Sequence, residues 1–360
     1  MTKFSVFALL YLLSLCTACT QQSTIDNSDA IDAQLVENAQ KHGIPGQAVL
    51  VLHNSDILYR NAIGVTAIED GVLVTPKTVF PVYSITKLFT ITLAMQLQEE
   101  GKLDFSAPAS QYVDNLPLSW RSIRIEQFLN HASGIPEYFD SNDFSRPFPA
   151  SLDAVFAKLH KLPLVSAPGE RTSYTNTNNL VIAAVLEVIT DTPYRELLRQ
   201  RIIEPLNLHE TWLNLADVPE ARLVKSYRAG AGQIEPALSI SWPDYSIAHV
   251  GAYMTLDDLG KFMSALAHGR LVSKVELLRL WQPYRLANGA TGFFANGWDY
   301  GEWGRWHEVS HDGGTKVRAR ILFDDNLDDH YIVVYLTNGN KDGVWSHTLV
   351  RSVQTIILPN

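Results

Sequence analysis

Strand-like sequence is confined to the two ends of this chain, and the long middle reads as helix and loop. Near the start, Gln47 to His53 and Ile57 to Val65 have the pattern of a hairpin. Strands return only after about Trp298, where Val317 to Phe323 and Tyr331 to Leu336 flank an acidic turn around Asp324-Asp325-Asn326. An amphipathic helix is expected over Asp29 to His42, and apolar helices over Ser84 to Glu100 and Leu180 to Ile189. Terminal strands around a helical middle predict a mixed α/β (α+β) fold. One antiparallel sheet is built from both chain ends and flanked by helices, with a helical subdomain inserted. No internal repeat interrupts this reading. With 360 residues, 46% of them apolar, the chain can bury a sizeable core. Its formal net charge of -9 offers nothing to a nucleic acid.

Ser84-Ile85-Thr86-Lys87 is the single S-x-x-K of the chain and stands at the head of the apolar run to Glu100. Pro81 discourages helix before it, and Gly101 can end the helix. In a first helical turn Ser84 and Lys87 share one face. A serine hydroxyl needs a base to become a nucleophile, and a buried lysine at a positive helix end can lose its proton to become one. The Ser84 backbone N–H is one of the unpaired donors of a helix start, ready for an oxyanion. A capping serine before a surface lysine has the same four letters, so the motif needs partners.

Two downstream segments supply them. Tyr174-Thr175-Asn176 follows the turn-rich run Ala167 to Ser173 and precedes the helix at Leu180. A phenol there can share the Ser84 proton with Lys87, and the Asn176 amide can hold both Lys87 and a substrate carbonyl. A second Y-x-N, at Tyr59-Arg60-Asn61, lies in the first hairpin. His311-Asp312-Gly313-Gly314 falls among the late strands, where Gly313 and Gly314 leave room for a substrate backbone. The Gly314 N–H can face that of Ser84 across an oxyanion hole, each donor worth about 3 kcal/mol of barrier.

In this order and spacing the segments resemble the β-lactamase-related serine hydrolases: class C β-lactamases, D-alanyl-D-alanine peptidases, D-aminopeptidases and esterases. The resemblance runs from about Gly43 to the C-terminus. It includes Ile44-Pro45-Gly46, Leu129 to Pro136 (the family's L-L-x-H-T-S-G-L-P stretch), Pro168-Gly169, Glu204-Pro205-Leu206, and Gly251 to Thr255 with Asp258. It implies a penicillin-binding-protein-like fold with the site at the seam between sheet and helical region. It further implies Ser84 as nucleophile, Lys87 and Tyr174 as a joint proton-handling pair, and Asn176, His311 and Gly313 as substrate contacts. Ser84 and Gly314 are then the oxyanion donors, and no cofactor is needed. His311 stands where β-lactamases and peptidases carry the lysine of K-T-G. Lys316 follows where another glycine is usual, and Gly251-Ala252 replaces two glycines. These departures bear on substrate fit. Esters, amides and D-peptides, including cell-wall fragments, are the implied substrates, with weak β-lactamase activity. A non-catalytic lipoprotein of the same fold, binding peptidoglycan fragments or a partner, is the alternative from another class.

Competing motifs fare worse. His307-Glu308-Val309-Ser310-His311 spells the zinc peptidase signature, but that motif works on a helix, and Gly304, Gly313 and Gly314 leave barely two turns for one. Asp324 to Asp329 lacks the glycine and glutamate of a calcium loop. Glu204 stands one residue too close to Asn207 for a class A deacylation loop. No G-x-S-x-G elbow occurs. At the N-terminus, Lys3 and the apolar run Phe4 to Leu15 read as a secretory signal too short to span a bilayer. Cys16-Thr17-Ala18-Cys19 resembles a lipoprotein box, with cysteine at the usual leucine position. The expected organisation is a signal over 1–19, a polar tether over 20–29 and the hydrolase domain over 30–360. Cys19 would carry a lipid anchor, placing the protein at the bacterial outer membrane facing the periplasm.

Overall fold

The computed structural model describes residues 27–141 and 143–358. The expected N-terminal signal over 1–19, with Cys19, lies outside the described residues. Helix α1 (Ser28–His42) ends at Gly43, whose φ of 59° provides the left-handed cap that lets its N–H return to Ala39 O. Strands β1 (Gly46–His53) and β2 (Asp56–Gly64) form the expected hairpin.

After the helical middle come β3 (Phe294–Ala295), β4 (Trp298–Trp303), β5 (Trp306–Gly313), β6 (Val317–Phe323) and β7 (His330–Thr337). The seven form one antiparallel sheet in the order β2-β1-β7-β6-β5-β4-β3. β1 joins the late strands directly through β7, with Val49 opposite Tyr335 and Val51 opposite Val333. Both chain ends therefore build the sheet, as the distribution of strand sequence predicts.

Both faces of the sheet are covered, so β1 and β7 are almost continuously apolar, whereas β6 alternates the buried Arg318 and Arg320 with Ala319 and Ile321. Val49, Val51, Leu322, Val333 and Tyr335 pack under α1 and the C-terminal helix α5 (Ser346–Ile357). Ala48, Leu50, Ala319, Ile321 and Val334 face the larger core. That core contains α2 (Lys87–Glu99), α3 (Thr177–Thr190) and α4 (Leu256–Ala267). Helix α2 is buried almost all round. Leu88, Phe89, Leu93 and Leu97 have no exposed surface, each worth about 1.5–3 kcal/mol of burial. Thr255 caps α4 by accepting from the Asp258 N–H, a structural reason for that framework segment. A second sheet of Val79–Pro81, Tyr253–Thr255 and Thr211–Trp212 lies at the seam between sheet and helical region. Among the described residues no helix is long and apolar enough to cross a membrane.

Candidate active site

The chain reaches Ser84 out of the short strand Val79–Pro81. Val82 N–H donates to Ala252 O at 3.0 Å, and Tyr83 then takes a φ of 47°. A left-handed residue with a side chain costs about 1–2 kcal/mol, so something must hold it. The Tyr83 hydroxyl bonds to Ser226 Oγ at 2.9 Å and receives Lys316 Nζ at 3.2 Å, with the ammonium 4.7 Å from the ring centre. Lys316 thus has a place that a glycine could not fill.

A 3₁₀ turn over Tyr83–Thr86 follows, and α2 begins at Lys87 rather than at Ser84. The expected helix start is three residues early, because the left-handed Tyr83 forces a tighter entry. The 3₁₀ spacing still places residues three apart over one another, so Ser84 and Lys87 remain aligned. The first N–H of this turn to find a carbonyl is that of Ile85, bonded to Val82 O at 3.0 Å.

Lys87 Nζ lies 3.0 Å from Ser84 Oγ and 3.1 Å from His249 O, and Tyr174 donates its hydroxyl to Ser84 Oγ at 3.0 Å. The nucleophile candidate and both proton carriers named from the sequence therefore meet at one oxygen. Lys87 has no exposed surface. Burial lowers its pKa to about 7, against the charge of Glu137, which pulls it back up. A neutral amine is therefore accessible near neutral pH. Tyr174 shows 45% of its surface, yet desolvation by the packed walls raises its pKa, opposed by the bond to Ser84. The phenol stays protonated. Neutral Lys87 can accept the Ser84 proton while Tyr174 remains a donor.

Tyr174 is held by His131, a residue that sequence reasoning placed only in a framework segment. His131 has a φ of 51°, its carbonyl accepts from Ser173 N–H at 2.7 Å, and its ring stacks on Tyr174 at 4.3 Å. Its Nδ1 accepts from Thr175 N–H at 3.2 Å and faces Asn178 Nδ2 at 3.0 Å. Burial, and next the Lys87 charge, hold its pKa well below the usual histidine range. Asn176 does not bond Lys87 as expected. Its backbone N–H and its amide Nδ2 both donate to Glu137 Oε2 at 2.8 Å. Glu137 and His249 were missed. Glu137 follows directly on the framework stretch that ends at Pro136, whereas nothing in the sequence around His249 marks it.

Along β5 alternate residues face opposite sides of the sheet. His311 and Gly313 face the nucleophile turn. His311 is 3% exposed, and its Nδ1 bonds to Asp312 O at 2.8 Å. A carbonyl can only accept, so Nδ1 carries the proton. Burial, and next the Lys87 charge, lower its pKa to about 4. Gly313 corrects an expectation. A Cβ there would lie 2.5 Å from Val82 O, so the glycine admits the nucleophile turn rather than a substrate backbone. Gly314 has a φ of 59° and nothing within 4 Å of its missing Cβ, so the space beside it is open.

The even residues of β5 point the other way. Asp312 pairs with Arg318 at 2.5 Å and accepts from Ser346 Oγ at 2.5 Å, which ties the H-D-G-G turn to the start of α5. Glu308 pairs with the fully buried Arg320 at 2.9 Å. Arg318 is therefore unable to reach the Ser84 side.

The remaining motifs resolve as structure. The H-E-x-x-H segment is strand β5, so the helix that zinc ligation needs does not exist. His307 bonds Tyr300 and Asp325 at the strand's outer end. No group of His, Cys, Asp or Glu among the described residues is arranged to hold a metal. Tyr59 and Asn61 of the second Y-x-N both donate to Asp32 of α1. Trp298, Tyr300, Trp303 and Trp306, close in sequence to His311, do not line a groove beside it. Trp298 is in the main core, Trp306 packs on the opposite face, and Trp303 donates its indole N–H to Leu358 O.

An antiparallel sheet from both chain ends, with a serine, a buried lysine and a tyrosine at its helical seam, is the arrangement of a β-lactamase/transpeptidase-type fold. The β-lactamase family profile matches residues 31–349, and the chain belongs to that family, whose members are in general serine hydrolases. Penicillin-binding protein 4* of Bacillus subtilis (strain 168) is 24% identical over 88% of this chain and 73% of its own. Among solved structures, EstCE1, a hydrolase with promiscuous acyltransferase activity, superposes with a TM-score of 0.78 at 18% identity, covering 92% of this chain and 99% of its own. A D-stereospecific amidohydrolase from Streptomyces sp. gives 0.71 at 22% identity, over 92% and 99%. At these identities the two structures show a shared fold.

Proposed function

We propose that this chain is a serine hydrolase that forms an acyl-enzyme on Ser84 and acts on esters or amides, with β-lactams as poor substrates. The observation that carries this reading is the convergence of Lys87 Nζ and Tyr174 Oη on Ser84 Oγ, each at 3.0 Å. Neutral Lys87 takes the proton as Ser84 Oγ attacks the substrate carbonyl carbon. The carbonyl oxygen becomes an oxyanion, received by the N–H groups of Ser84 and Gly314. Collapse of the intermediate expels the leaving group, which takes a proton from Tyr174, refilled from Lys87. Water then repeats the sequence on the acyl-enzyme and releases the acid. A hydrolase with acyltransferase activity and an amidohydrolase among the structural neighbours are consistent with such chemistry.

The substrate class follows from charge. A lysine in the place of His311 would offer a permanent cation to the carboxylate of a β-lactam or a D-alanine terminus. His311 is buried and neutral at pH 7, its pKa lowered to about 4. Losing one charge-assisted contact costs about 1.5–3 kcal/mol of binding, roughly ten- to a hundredfold. Lys316, just beyond the H-D-G-G turn, is engaged with Tyr83. Nitrophenyl butyrate should therefore be turned over with a higher kcat/KM than a chromogenic cephalosporin, and His311→Lys should narrow the gap. Faster cephalosporin turnover by the wild type would restore β-lactamase as the leading activity.

We further propose that Cys19 is acylated and holds the protein on the outer membrane, on the strength of Cys16 to Cys19 after an apolar signal. The wild type should partition into detergent and Cys19→Ala should remain aqueous. A freely soluble wild type would indicate ordinary signal cleavage.

A further inference from the structure

Glu137 ties the segment after Pro136 to Asn176 and the start of α3, and none of the active-site motifs contains it. Its Oε2 accepts the backbone N–H and the amide Nδ2 of Asn176, both at 2.8 Å. Its Oε1 accepts Tyr138 N–H at 3.0 Å and Thr177 Oγ1 at 3.3 Å. A carboxylate only accepts, so the Asn176 amide must turn its nitrogen towards Glu137 and cannot flip. The same contacts hold Thr177, the first residue of α3, one step beyond Asn176.

Glu137 also acts on Lys87. The groups around that amine are Tyr174, whose ring centre is 5.0 Å away, and the histidines His131, His249 and His311. All three histidines are held neutral by burial, so none opposes or assists with charge at pH 7. Asp299 and Asp312, on the far face of the sheet, act on Tyr174. The charge that favours the protonated amine is that of Glu137.

We propose that Glu137 is a positioning residue of the acyl-transfer centre: it locks the Asn176 amide in one orientation and brings a negative charge into the centre. The proposal rests on Lys87 as the proton acceptor of Ser84. Its prediction has a definite sign. Activity needs neutral Lys87, so kcat/KM rises with pH through the lysine's titration. Removing a nearby negative charge weakens the lysine's hold on its proton and moves that rise to lower pH.

The test is the pH dependence of kcat/KM for nitrophenyl butyrate, measured on wild type, Glu137→Gln and Glu137→Asp. The wild type should show an acid limb near pH 7. Glu137→Gln should shift the limb by roughly half a pH unit or more to the acid side. It should also lower the plateau by about tenfold, because a neutral acceptor holds Asn176 less tightly. Glu137→Asp keeps the charge on a shorter arm, so its limb should stay at the wild-type position while its plateau falls. A limb that Glu137→Gln leaves in place or moves to higher pH overturns the proposal. If Glu137→Gln does not fold, Glu137→Asp decides, and an undiminished plateau overturns the positioning role. A wild type without an acid limb near neutrality would instead overturn the assignment of Lys87.

Discussion

Ser84→Ala is expected to lower ester turnover by on the order of 10⁴-fold or more and to abolish covalent labelling. Intact-mass analysis after treatment with a fluorophosphonate should find one adduct on the wild type and none on the variant. An adduct that persists on Ser84→Ala would remove the nucleophile from the proposal. The size of the effect follows from geometry, since Ser84 Oγ is the one atom that both Lys87 and Tyr174 reach. Lys87→Ala and Tyr174→Phe should each cut turnover strongly in a folded protein. Because the three groups act on a single proton, the double variant should lose little more than the worse single one.

The second large effect should appear in stability. Glu308 and Arg320 form an ion pair between the sheet and α5, with Arg320 fully buried and Glu308 nearly so. Desolvation already lowers the Arg320 guanidinium to about 9 despite the pairing. Glu308→Gln leaves that cation without its carboxylate, and breaking such a pair from one side typically costs about 3–5 kcal/mol. Denaturant titration should show a midpoint shift of that size at unchanged slope. Turnover per folded molecule should remain close to wild type, since Glu308 projects from the face of β5 opposite His311. A stability change below about 1 kcal/mol would mean that Gln354 or water already compensates the Arg320 cation.

Much of the fold was legible because its signals are local. Residues of high β-propensity cluster before Gly64 and after Trp298, and the apolar patterns of α2 and α3 span whole helices. The hairpin, both late strands and the helix over Asp29 to His42 fall within a few residues of their expected places. Where the reading went astray, a distant contact overrode a local preference. Helix α2 starts late because Tyr83 is bound left-handed by Lys316 and Ser226, which lie far along the chain. Trp298, Trp303 and Trp306 are close in sequence, yet strand alternation divides them between two cores.

The candidate site divides in the same way. Ser84, Lys87, Tyr174, Asn176, His311 and Gly314 were named from residue type and order, because proton transfer and oxyanion binding restrict the side chains that can serve. Tertiary structure alone decided how those groups are charged. Lys87 is tuned by complete burial and by Glu137, and His311 is neutral because it is buried beside Lys87. It also decided that Gly313 makes room for Val82 and that Asn176 answers to Glu137. A sequence specifies which groups are available, whereas desolvation and Coulomb energies depend on distances between segments up to 233 residues apart. Those distances exist only once the sheet has closed on the helical region.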